Sequence, residues 1–166
     1  ADAEMFCPNR RAARWVTRAN RHTPEAAGHA WQFLFAHVPV EHAVGGGAAH
    51  NADTAFWFHV ERSRNPPCRL NSLAERELSA TMARWWLRHA ASANPNPTAS
   101  APLDDRAADR PLPPFWPPFP ADGASREPLM VLETSPRDGA GHVAWNARAE
   151  NCAFWDSVAP ELTPED

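Results

Sequence analysis

A chain of 166 residues has an unfolded surface of roughly 26,000 Å² and a folded one of roughly 8,000 Å² by area scaling, enough to bury one core. Hydrophobic residues at 43% and charged residues at 22% exclude a wholly disordered or fibrous chain, and no apolar run reaches the length of a bilayer span. With 16 basic against 20 acidic residues and no basic cluster, the net charge of −4 argues against nucleic acid as a partner.

The start, Ala1-Asp2-Ala3-Glu4, has neither an initiator Met nor the basic-then-apolar pattern of a signal peptide, so a processed chain is expected. Cys7-Pro8 opens the first element. From Asn9 to Asn20 the spacing predicts a short surface helix, with Ala12, Val16 and Ala19 on one stripe and Arg10, Arg14, Arg18 and Arg21 largely elsewhere. Ala30 to Val38, aromatic-rich and bounded by Gly28 and Pro39, predicts a strand buried on both faces, which favours a parallel or mixed sheet covered by helices. Gly45-Gly46-Gly47 opens a loop to Ala48-Ala49-His50-Asn51-Ala52-Asp53, followed by the short run Phe56-Trp57-Phe58.

The strongest helix signal runs from about Ser72 to Ser92. Ser72 and Glu75 form a capping box, Leu78, Met82, Trp85, Trp86 and His89 form an apolar stripe, and Asn94-Pro95-Asn96-Pro97 ends it. Eighteen prolines, concentrated between Asn94 and Pro120, make residues 94–120 a Pro-rich loop. Leu129 to Leu132 and His142 to Trp145 predict two short strands joined by a turn at Asp138-Gly139. A last helix starts near Ala149 and carries Cys152, Phe154, Trp155 and Val158. Every basic residue is Arg, and neither Lys nor Ile occurs, a pattern of coding bias and not of function. A parallel neighbour for the two-faced strand needs a crossover that these parts do not supply, so the missing sheet is expected from elsewhere.

The order of motifs resembles the C-terminal third of the type-B carboxylesterases, the cholinesterase-like branch of the α/β-hydrolases. The resemblance is carried by Cys7-Pro8, Trp31 to Phe35 with His37 and Pro39, Gly47-Ala48-Ala49-His50 with Asp53 and Phe56-Trp57-Phe58, Asn94-Pro95-Asn96-Pro97, Phe115-Trp116-Pro117, and Cys152-Ala153-Phe154-Trp155-Asp156. It implies an α/β fold: residues 1–166 as the C-terminal part of an α/β-hydrolase domain, contributing late sheet strands and packing helices that an upstream companion chain completes. It implies His50 as the triad histidine and no cofactor. Triads of this fold class follow the order Ser, acid, His, with Ser on a G-x-S-x-G elbow. That motif does not occur here. Nucleophilic Ser and triad acid are therefore expected on the companion chain, the substrate is a small-molecule ester, and the isolated chain is expected to be inactive.

Two residues depart from the family pattern: Asn51 stands where a glycine usually follows the histidine, and Asp53 stands for the usual Glu. Asp53 is either a supporting carboxylate or a cap for a helix beginning near Thr54. These departures leave a second reading open, a catalytically silent cholinesterase-like module for adhesion or assembly; a self-sufficient small domain is a third. The family pattern also implies a Cys7–Cys152 disulfide, against which stands the alternative of two buried thiols. A bridge implies an oxidising compartment and favours secretion, although no usable N-x-S/T sequon is present. Cys68, in an expected surface loop beside Pro66-Pro67, is left free or linked to the companion. His37, His42, His50 and His59 invite a metal site, but their irregular intervals do not suit zinc and none is expected. His37 and His59 are better taken as polar residues at element ends. Trp85, Trp86, Trp145 and Trp155 are either core or pocket lining, with core favoured. Pro111 to Pro120 is better taken as a packed loop than as a polyproline ligand.

Overall fold

The computed structural model describes residues 2–20, 29–39, 47–48, 50–60, 62–64, 67–97, 114–120, 126–134 and 140–158. The described elements fall into two units. One comprises Ala1–Gln32, Pro117–Leu129 and Ala144–Asp166, the other Phe33–Trp116 and Met130–Val143.

In the first unit a π-helical turn, Asp2–Phe6, runs into helix α1, Cys7–Ala19. Pro8 fits its first turn because the missing N–H has no intrahelical acceptor there. The buried residues of α1 are Cys7, Arg10, Arg11, Ala13 and Thr17, while Val16 and Trp15 are exposed. This reverses the stripe expected from apolar spacing. The guanidiniums of Arg10 and Arg14 grip the Glu127 carboxylate, and Arg11 Nη1 reaches Asp156 Oδ1 at 2.7 Å. Paired charges thus occupy the face that apolar residues were expected to take. Asp156 lies on helix α4, Ala149–Val158, whose buried residue is Cys152. Cys7 and Cys152 are joined by a disulfide with Cα atoms 5.2 Å apart. This is the pairing the family pattern implies. Phe154 and Val158 of α4 are exposed.

The second unit is built on strand β1, Phe33–Phe35, which pairs in parallel with Met130–Leu132, the part of strand β4, Pro128–Leu132, that belongs to this unit, in the register Phe33↔Met130, Leu34↔Val131 and Phe35↔Leu132. Strand β5, His142–Trp145, follows β4 in the sheet, giving the order β1-β4-β5. Both late strands are where the sequence places them; the turn expected at Asp138-Gly139 lies outside the described residues. Gly141, at φ +118°, passes so close to β4 that a Cβ there would stand 2.2 Å from the Val131 carbonyl oxygen.

Two expectations are corrected here. The chain does supply a parallel neighbour for β1: the crossover from β1 to β4 includes helix α3, Leu73–Ser92. Nor is β1 fully buried, for Leu34 and Phe35 are half-buried and Phe33 is exposed, as befits the edge position in this sheet. A parallel pair bridged through a helix makes this a mixed helix-and-sheet architecture compatible with the α/β class.

Helix α3 carries the apolar core of the unit. Its capping box is complete: Ser72 Oγ accepts the Glu75 N–H at 3.1 Å and Glu75 Oε2 accepts the Ser72 N–H at 2.9 Å. Leu78, Met82 and Trp85 are buried, with the Trp85 ring 5.4 Å from Trp116 in an edge contact. Trp86 and His89 are exposed, so the buried stripe is narrower than the expected one. Trp86 sits about 100° around the helix from Trp85 and cannot share its face. Asn96 then holds the Trp-Pro segment: its Oδ1 accepts the Trp116 N–H at 2.7 Å and its Nδ2 donates to the Trp116 carbonyl at 2.8 Å.

Residues expected to form a surface loop around Cys68 instead pair. Strand β2, Arg62–Arg64, lies antiparallel to β3, Pro67–Arg69, with Ser63 opposite Cys68. Pro67 takes the first position of its strand, where a missing N–H is tolerated. Among the described residues no helix is long and apolar enough to cross a membrane.

Candidate active site

His50 stands on a turn that leads into the short helix α2, Thr54–Trp57. The turn is closed by Thr54 N–H donating to the Asn51 carbonyl at 3.1 Å, and Asn51 has φ +64°. Glycine is the default in that left-handed region, and Asn is among the few other residues that adopt it readily. Asn51 therefore meets the conformational demand of the position where the family pattern has glycine. Gly47, upstream, sits at φ +109°, and among the described residues no atom lies within 4 Å of its Cβ position. The neighbouring Gly45 and Gly46 lie outside the described residues.

The His50 side chain is exposed, and among the described residues no hydrogen bond claims either of its ring nitrogens. Asp53 does occupy the N-cap position of α2, but its backbone is helical and its carboxylate makes no cap bond. Oδ2 instead accepts the Trp57 indole N–H at 3.2 Å. The structure thus places Asp53 one turn from His50 in sequence and directs its carboxylate along α2.

The other described histidines are differently employed. His37, just after β1, is bracketed: Nε2 lies 3.1 Å from Glu75 Oε1 and Nδ1 lies 3.3 Å from Thr134 Oγ1. Because an ionised carboxylate only accepts, Nε2 carries the proton it gives to Glu75. Glu75 is almost wholly buried, and its second oxygen accepts from the Asn71 N–H, the Ser72 N–H and the Ser72 hydroxyl. Burial pushes this carboxyl up, but the hydrogen bonds from Ser72, His37 and Asn71 outweigh it and hold Glu75 below the ordinary carboxylate range.

One helical turn further on, Ser79 Oγ donates to the Phe56 carbonyl at 2.9 Å. Its single proton is spent there, so the 2.9 Å contact with His59 Nδ1 requires that nitrogen to carry the hydrogen. His142 faces Glu133 at 3.3 Å on the surface, and His29 packs edge-on against Trp31.

Among the described residues no three His, Cys, Asp or Glu side chains converge as a metal site; His42 lies outside them. Of the tryptophans weighed as pocket lining, Trp85 is core. Trp86 is exposed near Trp57, Trp145 lies beneath the Arg126 guanidinium at 4.6 Å, and Trp155 packs edge-on against Phe154. The Glu75–His37–Thr134 and Ser79–Phe56–His59 contacts escape sequence reasoning because they join residues 20 to 97 positions apart. The signal present was Glu75 itself, a carboxylate in a capping box at the head of a buried stripe.

No protein-family model matches the chain, and a search of curated proteins gave no match. Among solved structures it is similar to one described as an esterase from anaerobic Clostridium hathewayi that can hydrolyze aliphatic aromatic polyesters, with 21% identity and a TM-score of 0.48 over 83% of this chain and 21% of that one. The chain thus spans about a fifth of the length of that protein.

Proposed function

We propose that this chain is the C-terminal part of a serine carboxylesterase-like hydrolase and that His50 is its proton-transfer group. The observation that carries the reading is the state of His50: an exposed imidazole on a tight turn, both nitrogens unclaimed among the described residues, while His37 has both nitrogens engaged and His59 has Nδ1 engaged. A general base must keep a nitrogen available for the substrate side and another for an orienting carboxylate. The order of the sequence motifs supplies the second support.

In the proposed reaction a serine hydroxyl and a triad acid come from a companion chain. His50 takes the serine proton as the oxygen bonds to the ester carbonyl carbon, then returns it to the alcohol as the carbon–alkoxy bond breaks. Water next attacks the acyl-enzyme, giving its proton to His50, and that proton regenerates the serine hydroxyl. Positioned acid–base catalysis of this kind contributes about 10²–10⁴ in rate. Asp53, through Trp57, would support the turn without being the triad acid.

Beyond the Cys7–Cys152 bridge, which fits an oxidising compartment, secretion and proteolytic processing belong to the same proposal. The alternative of a silent adhesion or assembly module loses one of its two motives, because Asn51 satisfies the left-handed turn. Asp53 remains the other. The test is ester hydrolysis by the assembled protein with and without His50→Ala. Loss of turnover with an intact fold is expected, and near-normal turnover refutes the assignment. Copurification of a companion carrying G-x-S-x-G supports the enzyme; a companion with that Ser replaced supports the silent module.

A further inference from the structure

The chain enters the His50 region after β1, at His37, and leaves it through α2 and His59. Helix α3 holds both of these stems with two buried polar residues one turn apart. Glu75, 1% exposed, takes the His37 Nε2 proton in a 3.1 Å hydrogen bond, and Thr134 flanks the other ring nitrogen. Ser79, fully buried, donates to the Phe56 carbonyl at 2.9 Å and receives His59 Nδ1–H at 2.9 Å. Between them the buried Phe56 ring packs against both Phe35, at 5.0 Å, and the His37 imidazole, at 5.4 Å, closing the two stems on each other.

Ser79 does not bond back to its own helix as Ser92 does to the Arg88 carbonyl but donates outward to Phe56, and the capping box consumes Glu75 Oε2 and leaves Oε1 for His37. A buried hydroxyl normally costs stability unless both its donor and its acceptor capacity are met. Here both are met by the segment that follows His50. An i, i+4 pair places the two grips on one face of α3, so a single helix face holds both His37 and the end of α2 with His59.

We infer that Glu75 and Ser79 are positioning residues for His50, a two-point clamp by which α3 fixes both ends of the segment that presents the imidazole. As a statement about the ester reaction this rests on the function proposed above, but the clamp itself is a statement about local order and is tested separately.

The experiment compares the full chain with its Ser79→Ala and Glu75→Gln variants by amide hydrogen exchange and by relaxation of ¹³C-labelled histidine rings, the His50 signal being identified by its loss in His50→Gln. In each variant the amides of Phe56 to Val60 are expected to exchange about ten-fold faster or more, as for loss of a buried hydrogen bond. The His50 ring should gain motion, with the His142 ring unchanged and the amides of Met82 to Ser92 losing clearly less protection than those of Phe56 to Val60. An unaltered His50 ring in both variants overturns the clamp. So does uniform loss of protection along α3, which would make the two residues general stabilisers. In the assembled enzyme the clamp predicts that Ser79→Ala lowers kcat with little change in KM, with Ser79→Thr retaining more of kcat. Should His50→Ala leave esterolysis intact, the ester reading fails while the exchange and ring measurements still judge the clamp.

Discussion

At the scale of single residues, Glu75 links stability to pH. Its carboxyl is held below the ordinary value of 4.5, so the native state favours the ionised form and binds fewer protons than the unfolded chain on the acid side. The stability it contributes is therefore fully present above the ordinary value and is lost as pH falls through the lowered native one. Wild-type thermal midpoints should decline as pH is taken below about 4.5. Glu75→Gln should start lower at neutral pH, by about 1–2 kcal/mol for lost charge-assisted bonds, and show a shallower acid slope. Equal slopes for the two proteins would remove Glu75 from the acid response. Asn51 makes a second residue-scale prediction from its φ of +64°. Asn51→Gly should be close to neutral, whereas Asn51→Val, a β-branched residue in a left-handed turn, should cost about 1–2 kcal/mol in denaturant unfolding.

Elements differ in how much of them is written locally. Helix α3 is legible because its start is encoded within four residues: Ser72→Ala removes the cap and should cost about 1 kcal/mol, read as a lower midpoint of chemical unfolding with unchanged m. Strands β4 and β5 are legible from their apolar runs and flanking turn residues. Helix α1 misleads because burial there follows partners on remote segments, Glu127 and Asp156, which turn arginines inward; no periodicity of α1 alone contains that information. The β2–β3 pair, with its arginines and paired prolines, has no alternating apolar signal, and it is held by backbone pairing. The parallel pairing of β1 with β4 is likewise a tertiary fact, joining residues 97 positions apart such as Phe33 and Met130. Of the candidate site, His50 was singled out by motif order and its catalytic role is a proposal, while the hydrogen bonds of Glu75 and Ser79 with His37, Phe56 and His59 were not legible. Packing at Gly141 is as specific: with φ at +118° and the Val131 oxygen 2.2 Å from a Cβ position, Gly141→Ala should destabilise by about 3 kcal/mol or more.

For the molecule as a whole, the question is what holds together a unit assembled from three stretches of chain far apart in sequence, Ala1–Gln32, Pro117–Leu129 and Ala144–Asp166. Short apolar helices do not suffice, since α1 and α4 leave Val16, Phe154 and Val158 exposed. Two kinds of tie replace a larger core. Arg10, Arg11 and Arg14 bind the middle and last stretches through Glu127 and Asp156, and the bridge from Cys7 to Cys152 spans 145 positions. A closed loop of that length restricts the unfolded chain by about 5 kcal/mol in the chain-entropy account, comparable to the whole stability of a small domain. Reduction, or paired Cys7→Ser and Cys152→Ser replacement, should therefore act selectively. Amide protection in α1 and α4 should fall by orders of magnitude, while α3, whose unit contains no part of this bridge, keeps most of its own. Hydrogen exchange followed by proteolysis and mass spectrometry resolves the two sets of amides in one measurement. Parallel loss in α1, α4 and α3 would show a single cooperative unit, and no loss anywhere would show that the arginine ties alone suffice. Selective loss would assign the bridge its role, which is to replace the apolar area that α1 and α4 do not bury.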